Sequence, residues 1–478
     1  MGAYSSWVNA RWRRKAALKA FSARVLGKLI RTAVPRRFRI GQFRMPVGAN
    51  ISERSWNDKA KFLADAFHQR SFRNAEAGVA RPRVVHLIGS LQAGGAERQL
   101  CNCVIGQHRQ GLDVSVLLLF KPTGEHDHFG ELLSQEGITV RVAGEHFNPK
   151  VKAAIKRVVG GEVALAAIPQ EFCPWAIDVL GELLVAQTDV FHSWLDHPNV
   201  WGGVGAVLAN VPLVVLSTRN VNPTHFPYLA SPYFHAMYSQ FAHLSNVRFI
   251  NNSHAGADDY AQWLGVSREK FSVVLNGVDF SSVSRPSPED VLAFRNEISI
   301  PTDAALIAGV FRLSEEKQPL LFLEVVRRVI SQRKNTYAVV AGIGPYEEQM
   351  RQFVDEKGMK DRVFLLGRRD DISRIFASAD VKLLCSRQEG TPNVLLEAQW
   401  LGCPVVATKA GGAVDAVRDH ETGFLLDVGD VAGLEEAVLT LLNDKPLRSQ
   451  FAENGPQFIR STFGVDRMVQ ETNSVYFN

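Results

Sequence analysis

Cysteine is scarce. Cys101, Cys103, Cys173, Cys385 and Cys403 are scattered and odd in number, and no pair has zinc-ligand spacing. That pattern excludes a disulfide framework and a cysteine-built zinc site, and it suits a reducing cytoplasm. Cys385 and Cys403 fall on or beside expected core elements, as buried thiols do. No run of 18 or more apolar residues occurs, so no membrane-spanning helix is expected. The glycines after the first strand do not form Gly-x-Gly-x-x-Gly, so the dinucleotide fingerprint is missing.

Acid is missing altogether from Met1 to Asn50. The same segment carries Arg11, Arg13, Arg14, Lys15, Lys19, Arg24, Lys28, Arg31, Arg36, Arg37, Arg39 and Arg44. Leu18, Phe21, Val25 and Leu29 make one helical stripe, with Trp7 and Trp12 as interface-type aromatics. Residues 1–44 therefore read as an amphipathic helix, ending near Pro35, that lies on an anionic membrane surface; each basic residue there contributes about 1 kcal/mol. A solvated tail and a mitochondrial presequence are alternatives. Met1-Gly2 with Ser6 also fits the short myristoylation pattern. Nucleic acid is not an expected partner, because the basic run has no companion motif and the rest is near neutral.

What is present is a large, ordinary globular composition. The chain has 478 residues, 46% hydrophobic and 22% charged, with a net charge of +5. That is too long for one core, so two domains plus an extension are expected. The extension covers residues 1–80. Runs with strand character then recur at Val84–Ile88, Val114–Phe120, Ile138–Val142, Asp189–His192, Val211–Ser217, Val247–Asn251 and Phe271–Leu275, with helical stretches between. Asn276-Gly277-Val278-Asp279 reads as a turn, and Ser281–Pro288 as a linker. A second alternation follows: Ala304–Val310, Tyr337–Ala341, Val363–Leu366, Val381–Cys385 and Val405–Thr408. Alternating strand and helix gives doubly wound parallel sheets that bind ligands beyond the strands' carboxyl ends. The fold class is thus α/β, two Rossmann-like domains facing a cleft, at 81–283 and 284–464.

Candidate chemistry gathers at those strand ends. Gly94-Gly95 lies between the first strand and a helix, where amides can approach a phosphate or simply make a tight turn. Arg312 and Lys317, five apart on one loop, can clamp a diphosphate or pair with Glu315 and Glu316. The chain is organised around 381–408. There Thr391 is expected as N-cap and Pro392 as the first helical residue, with Gly402 and Pro404 ending the helix. Glu389 precedes this helix and Glu397 lies about 7–8 Å further along its axis. Free amides and the positive dipole at Thr391, Asn393 and Val394 make an anion site beside two carboxylates. That combination suits a nucleotide sugar, although an N-terminal acid that favours the dipole looks the same. On the acceptor side the candidates are His192, Asp196, His197 and Arg219, each of which also fits an ordinary loop residue.

Glu389-Gly390-Thr391-Pro392-Asn393-Val394-Leu395-Leu396-Glu397 resembles the Glu-x7-Glu motif of retaining glycosyltransferases of family 4. Arg312…Lys317, Gly342-Ile343-Gly344-Pro345, Gly402–Thr408 followed by Gly411-Gly412, and Gly94–Glu97 resemble that family's other elements, in its order. The resemblance covers about residues 83–478. It implies a GT-B fold whose final helix, 465–478, crosses back to the first domain. It also implies metal-independent transfer, with retention, from a nucleotide sugar (UDP-hexose or UDP-N-acetylhexosamine) to a lipid-linked or oligosaccharide acceptor. In that scheme no cofactor is needed. Arg312 and Lys317 hold the diphosphate, and Glu389 with the amides near Asn393 and Val394 positions the sugar. Glu397 takes the ribose, Gly95 and Gly344 approach the ligand, and Arg368 meets the base. In the Thr391–Gln399 region the likeness is to members that build bacterial capsule, exopolysaccharide or O-antigen chains. The basic amphipathic start suits a lipid-linked acceptor at the inner face of the bacterial plasma membrane.

Two departures stand out. Many members carry His-x-His where this chain has His192-Ser193-Trp194, and Asp415 replaces a usual Glu. Rivals from other classes are a sugar-nucleotide epimerase or phosphorylase on the same frame, and a non-catalytic membrane-surface scaffold. No cofactor-lysine motif supports a phosphorylase, and the intact Arg312, Lys317, Glu389 and Glu397 argue against a scaffold.

Overall fold

A computed structural model describes residues 56–68, 81–145, 149–158 and 168–477. The basic segment 1–44 and its expected surface helix lie outside the described residues. In the first lobe, β1 (Arg83–Ile88), β2 (Asp113–Leu118), β3 (Thr139–Val142), β4 (Val190–Trp194), β5 (Leu213–Thr218), β6 (Val247–Asn251) and β7 (Phe271–Val273) form one sheet in the order β3-β2-β1-β4-β5-β6-β7. In the second, β8 (Ala305–Val310), β9 (Thr336–Ala341), β10 (Val363–Gly367), β11 (Val381–Leu384), β12 (Val405–Thr408) and β13 (Gly423–Leu426) are ordered β10-β9-β8-β11-β12-β13. Neighbouring strands pair in parallel. Strands β4, β5, β8, β11 and β12 are buried along their whole length, as helices on both faces require. This is the expected architecture of two Rossmann-like lobes. Strand β13 is an addition: four residues at a sheet edge, alternately buried, give too short a signal to read from sequence.

Each sheet reverses its strand order once, between β1 and β4 and between β8 and β11. Doubly wound sheets bind ligands at such switch points, because the loops there diverge and leave a crevice. Both crevices open toward the other lobe.

The chain passes between lobes twice, and the two passages are hydrogen-bonded to each other. Val278 N donates to Phe463 O at 2.6 Å, and Val465 N to Val278 O at 3.3 Å. The last helix, Val465–Phe477, then packs on helix Gly95–Arg109 of the first lobe. The packing is close. A Cβ at Gly106 would lie 2.5 Å from Val469 Cγ2. Among the described residues no helix is long and apolar enough to cross a membrane.

Candidate active site

The second lobe supplies the charged half of the site, from two strands that are neighbours at its switch point. The loop after β8 carries Arg312 and Lys317, and the loop after β11 carries Glu389. That adjacency brings Lys317 Nζ within 2.5 Å of Glu389 Oε1, which also accepts from Ser386 Oγ at 2.7 Å. Glu389 is buried, whereas Arg312 is exposed and forms no ion pair among the described residues. Beneath them Lys382 is fully buried, 5.3 Å from the Phe311 ring, and donates to Val310 O at 3.3 Å and Leu383 O at 2.8 Å. Burial pushes its ammonium down to about 7. It braces the strand end that leads into Arg312.

Gly344 acts through that same loop. A Cβ there would overlap the backbone of Leu313, so the turn after β9 can lie flat against the 311–318 segment only as glycine. Gly344→Ala should displace Arg312 and Lys317 and lower kcat/KM at least tenfold, with the fold retained. Steady-state kinetics together with far-UV circular dichroism check this. Arg368 stands exposed just past β10, on the rim of this lobe.

The helix start differs from expectation. Helix Asn393–Trp400 begins at Asn393, and Pro392 is its N-cap rather than its first turn. Thr391 does not cap it. Its Oγ1 donates to Asn252 O of the first lobe, because the hydroxyl is drawn into the lobe interface. The N–H groups of the first turn, at Asn393 and Val394, have no acceptor within the helix.

The lobes meet around that point. Asn276 Nδ2 donates to Asn393 Oδ1 at 2.7 Å and to Thr391 O at 3.1 Å. Gln99 Nε2 donates to Asn393 Oδ1 at 3.3 Å and to Gly277 O at 3.0 Å, while Gly277 N returns a bond to Gln99 Oε1 at 2.7 Å. A Cβ at Gly95 would come 3.1 Å from Asn393 Nδ2, so this glycine serves a lobe-to-lobe approach. Across the gap Arg98 forms an ion pair with Glu397. Asp415 accepts from His254 N at 2.8 Å, and so places a negative charge at the start of helix His254–Leu264.

The first-lobe helix mouth is already occupied by acid. The Glu97 carboxylate folds back over the start of its own helix, 3.2 Å from Gln92 Nε2, and is buried. Burial holds that carboxyl above its usual range. An acid there disfavours a phosphate at Gly94-Gly95 and favours hydroxyls.

The acceptor-side candidates have different surroundings. His192 is 1% exposed, with Nδ1 2.5 Å from Tyr476 Oη on the last helix and Nε2 2.7 Å from Ser217 Oγ. Both faces of a parallel sheet are covered, so a strand residue such as His192 turns into the core. Asp196 accepts from Tyr238 Oη at 2.7 Å and Tyr260 Oη at 2.5 Å. His197 sits edge-on to Trp201 and Phe234, with Nε2 3.1 Å from Ser231 Oγ. His192 is thus a buried hydrogen-bonding residue of the first lobe's core, whereas Asp196 and His197 are half-buried just past β4, at that lobe's switch point. Arg219 reaches the lobe junction. Its guanidinium lies 4.8 Å over the Trp194 ring and donates to Asn276 Oδ1 at 2.5 Å. Burial lowers its pKa to about 10.

Trp194, at the place of the second histidine of His-x-His, has a defined role of its own. Its indole N–H donates to His86 Nδ1 at 3.1 Å, and His86 Nε2 faces Gln107 Oε1 at 2.8 Å. An indole nitrogen only donates, so His86 carries its proton on Nε2.

Known families match this sequence in two consecutive pieces. Glycosyltransferase Family 4 matches residues 93–282, and Glycosyl transferases group 1 matches residues 290–458. The chain belongs to the group 1 glycosyltransferases of family 4. It is 27% identical over 411 residues to the Vi polysaccharide biosynthesis protein VipC/TviE of Salmonella typhi, an overlap of 81% of this transferase and 70% of that protein. It is 25% identical over 293 residues to an Escherichia coli UDP-Gal:alpha-D-GlcNAc-diphosphoundecaprenol alpha-1,3-galactosyltransferase, covering 61% of this transferase and 75% of the relative. Among solved structures, Anabaena HepE in complex with UDP and glucose shares the fold, with a TM-score of 0.67 at 23% identity, over 83% of this chain and 99% of that one. The transferase is therefore an enzyme with a GT-B fold.

Arg98, Gln99, Asn252 and Asn276 had no motif to announce them. Gln99 has only its place in the first turn after the glycine pair as a signal. Asn276-Gly277 looks from sequence like a plain turn, and its contact with Asn393 is visible only once the lobes are folded together.

Proposed function

We propose that this enzyme is a retaining, metal-independent transferase that moves a hexose or N-acetylhexosamine from a UDP-sugar to a lipid-linked or glycan acceptor in cell-surface polysaccharide biosynthesis. The observation that carries the proposal is the convergence of Lys317, Glu389 and the Asn393 helix mouth at the second lobe's switch point, facing the first lobe. The anomeric carbon–oxygen bond to the diphosphate breaks, and negative charge builds on the phosphate oxygens. Arg312 and Lys317 on the loop after β8, with the dipole of helix Asn393–Trp400, would supply the positive charge that stabilises the departing diphosphate. The acceptor hydroxyl forms the new bond on the same face, and its proton passes to a phosphate oxygen. Glu389 holds Lys317 and receives sugar hydroxyls, and Glu397 receives the ribose. The UDP-bound neighbour and the relatives named for polysaccharide and lipid-diphosphate glycans support the donor and acceptor classes. With residues 1–44 as a basic surface anchor, the enzyme would work at the inner face of the plasma membrane.

Incubation with a panel of UDP- and GDP-sugars tests the proposal. The matching donor should raise the melting temperature at low concentration and slowly release its nucleotide, with chelator making no difference. Interconversion of sugars without release would instead establish an epimerase.

A further inference from the structure

Arg219 is a partly buried positive charge held by neutral neighbours alone. It follows β5 at the lobe junction. Its guanidinium stacks over the Trp194 ring and donates to Asn276 Oδ1. Among the described residues no carboxylate pairs with it. The acids nearby are engaged elsewhere: Glu389 pairs with Lys317, Glu397 with Arg98 and Asp415 with His254. A charge taken from water without a counter-charge is costly. A neutral amide could make the bond to Asn276 without that cost, so the charge itself needs a reason.

The contacts around Arg219 fix where that charge lies. A Cβ at Gly390 would overlap Arg219 O, and one at Gly411 would overlap Glu389 O and come 3.2 Å from Val221 Cγ1. The loop after β5 is therefore packed on the Glu389-Gly390 backbone. Asn276, which accepts from Arg219 at 2.5 Å, donates in turn to Thr391 O at 3.1 Å and to Asn393 Oδ1 at 2.7 Å. One asparagine thus separates the guanidinium from the mouth of helix Asn393–Trp400. This cation belongs to the Glu389 end of the site and comes from the opposite lobe to Arg312 and Lys317.

We infer that one of the two substrates carries an anionic group, carboxylate or phosphate, beside the reacting sugar, and that Arg219 binds it. This rests on the proposal that Glu389 receives sugar hydroxyls. Stacking on Trp194 orients the guanidinium without using any N–H, and tryptophan is the best ring for that purpose. One N–H goes to Asn276, and the planar fork can still take two oxygens of a carboxylate or phosphate. A hexuronic acid on the donor would bring a carboxylate, and a lipid-diphosphate acceptor would bring a phosphate next to its first sugar.

The test uses full-length wild type, Arg219→Gln and Arg219→Lys with matched pairs of substrates. UDP-glucose against UDP-glucuronic acid, and UDP-galactose against UDP-galacturonic acid, vary the donor. A GlcNAc-diphosphate lipid against octyl GlcNAc varies the acceptor. Wild type should favour the anionic member of one pair by about tenfold or more in kcat/KM, the size of a charge-assisted hydrogen bond, and the pair that responds identifies the source. Arg219→Gln should abolish that preference by slowing the anionic substrate alone, with affinity for UDP and melting temperature unchanged, and Arg219→Lys should restore part of it. No preference in wild type, or one that survives in Arg219→Gln, overturns the inference and leaves the transferase proposal standing. So does a fall in melting temperature with equal losses for neutral and anionic substrates, which would make Arg219 a structural clamp. Failure to bind any UDP- or GDP-sugar overturns both.

Discussion

Arg312→Ala should cut turnover a hundredfold or more while leaving the melting temperature unchanged. The two halves of that result have separate causes. The Arg312 side chain is exposed and forms no ion pair among the described residues, so the fold does not depend on it. In the proposed mechanism its charge faces the departing diphosphate, where loss of one fixed donor commonly costs about 3 kcal/mol of transition-state stabilisation. Glu389→Gln should also lower turnover by one or more orders of magnitude, with a different signature. Glu389 is 5% exposed and is the ion partner of Lys317. The amide leaves that ammonium half-buried and poorly compensated, so melting temperature should fall as well. Near-normal turnover in both variants, measured as nucleotide release with saturating donor, would remove these residues from the mechanism.

Acid should unfold the first lobe earlier than carboxylate protonation alone would. His86, His192 and His197 are all held neutral by burial, His86 and His197 at about 4 and His192 well below its usual value. In the unfolded chain each titrates near 6.5. Between about 6.5 and 4 the unfolded state therefore binds protons that the fold refuses, so stability is complete above about 6.5 and falls as pH drops. Each histidine contributes about 1.4 kcal/mol per pH unit over that window. Protonation of His86 would also cost it the indole bond from Trp194, since the imidazolium has no acceptor nitrogen. Urea midpoints measured from pH 7.5 to 5 should fall steeply, and His197→Phe, packed between Trp201 and Phe234, should make the slope shallower by one proton. A midpoint that stays level to pH 5 would contradict this account.

Much of the second lobe was legible in the sequence. Its strands are largely apolar runs, and Lys317 and Glu389 lie on loops whose strands are sheet neighbours. A pattern of strand and helix alone therefore brings them together. The first lobe was legible as fold and not as site. His192 is a chemically suggestive type, and nothing in a linear sequence tells a strand residue buried against Tyr476 from one aimed at a ligand. Contacts between the lobes were the least legible. Thr391 looked like a helix cap because local geometry favours that role. The bond to Asn252 that draws it away depends on a residue far along the chain.

The last helix has a consequence for how the molecule is made. Met468, Val469 and Tyr476 are buried in the first lobe's core, with Tyr476 bonded to His192 on its central strand β4. A chain that emerges from the ribosome in order presents the whole of that sheet long before these side chains exist. The first lobe must then wait, with a groove open along helix Gly95–Arg109, until the second has been synthesised. The half of the enzyme made earliest is the half completed last.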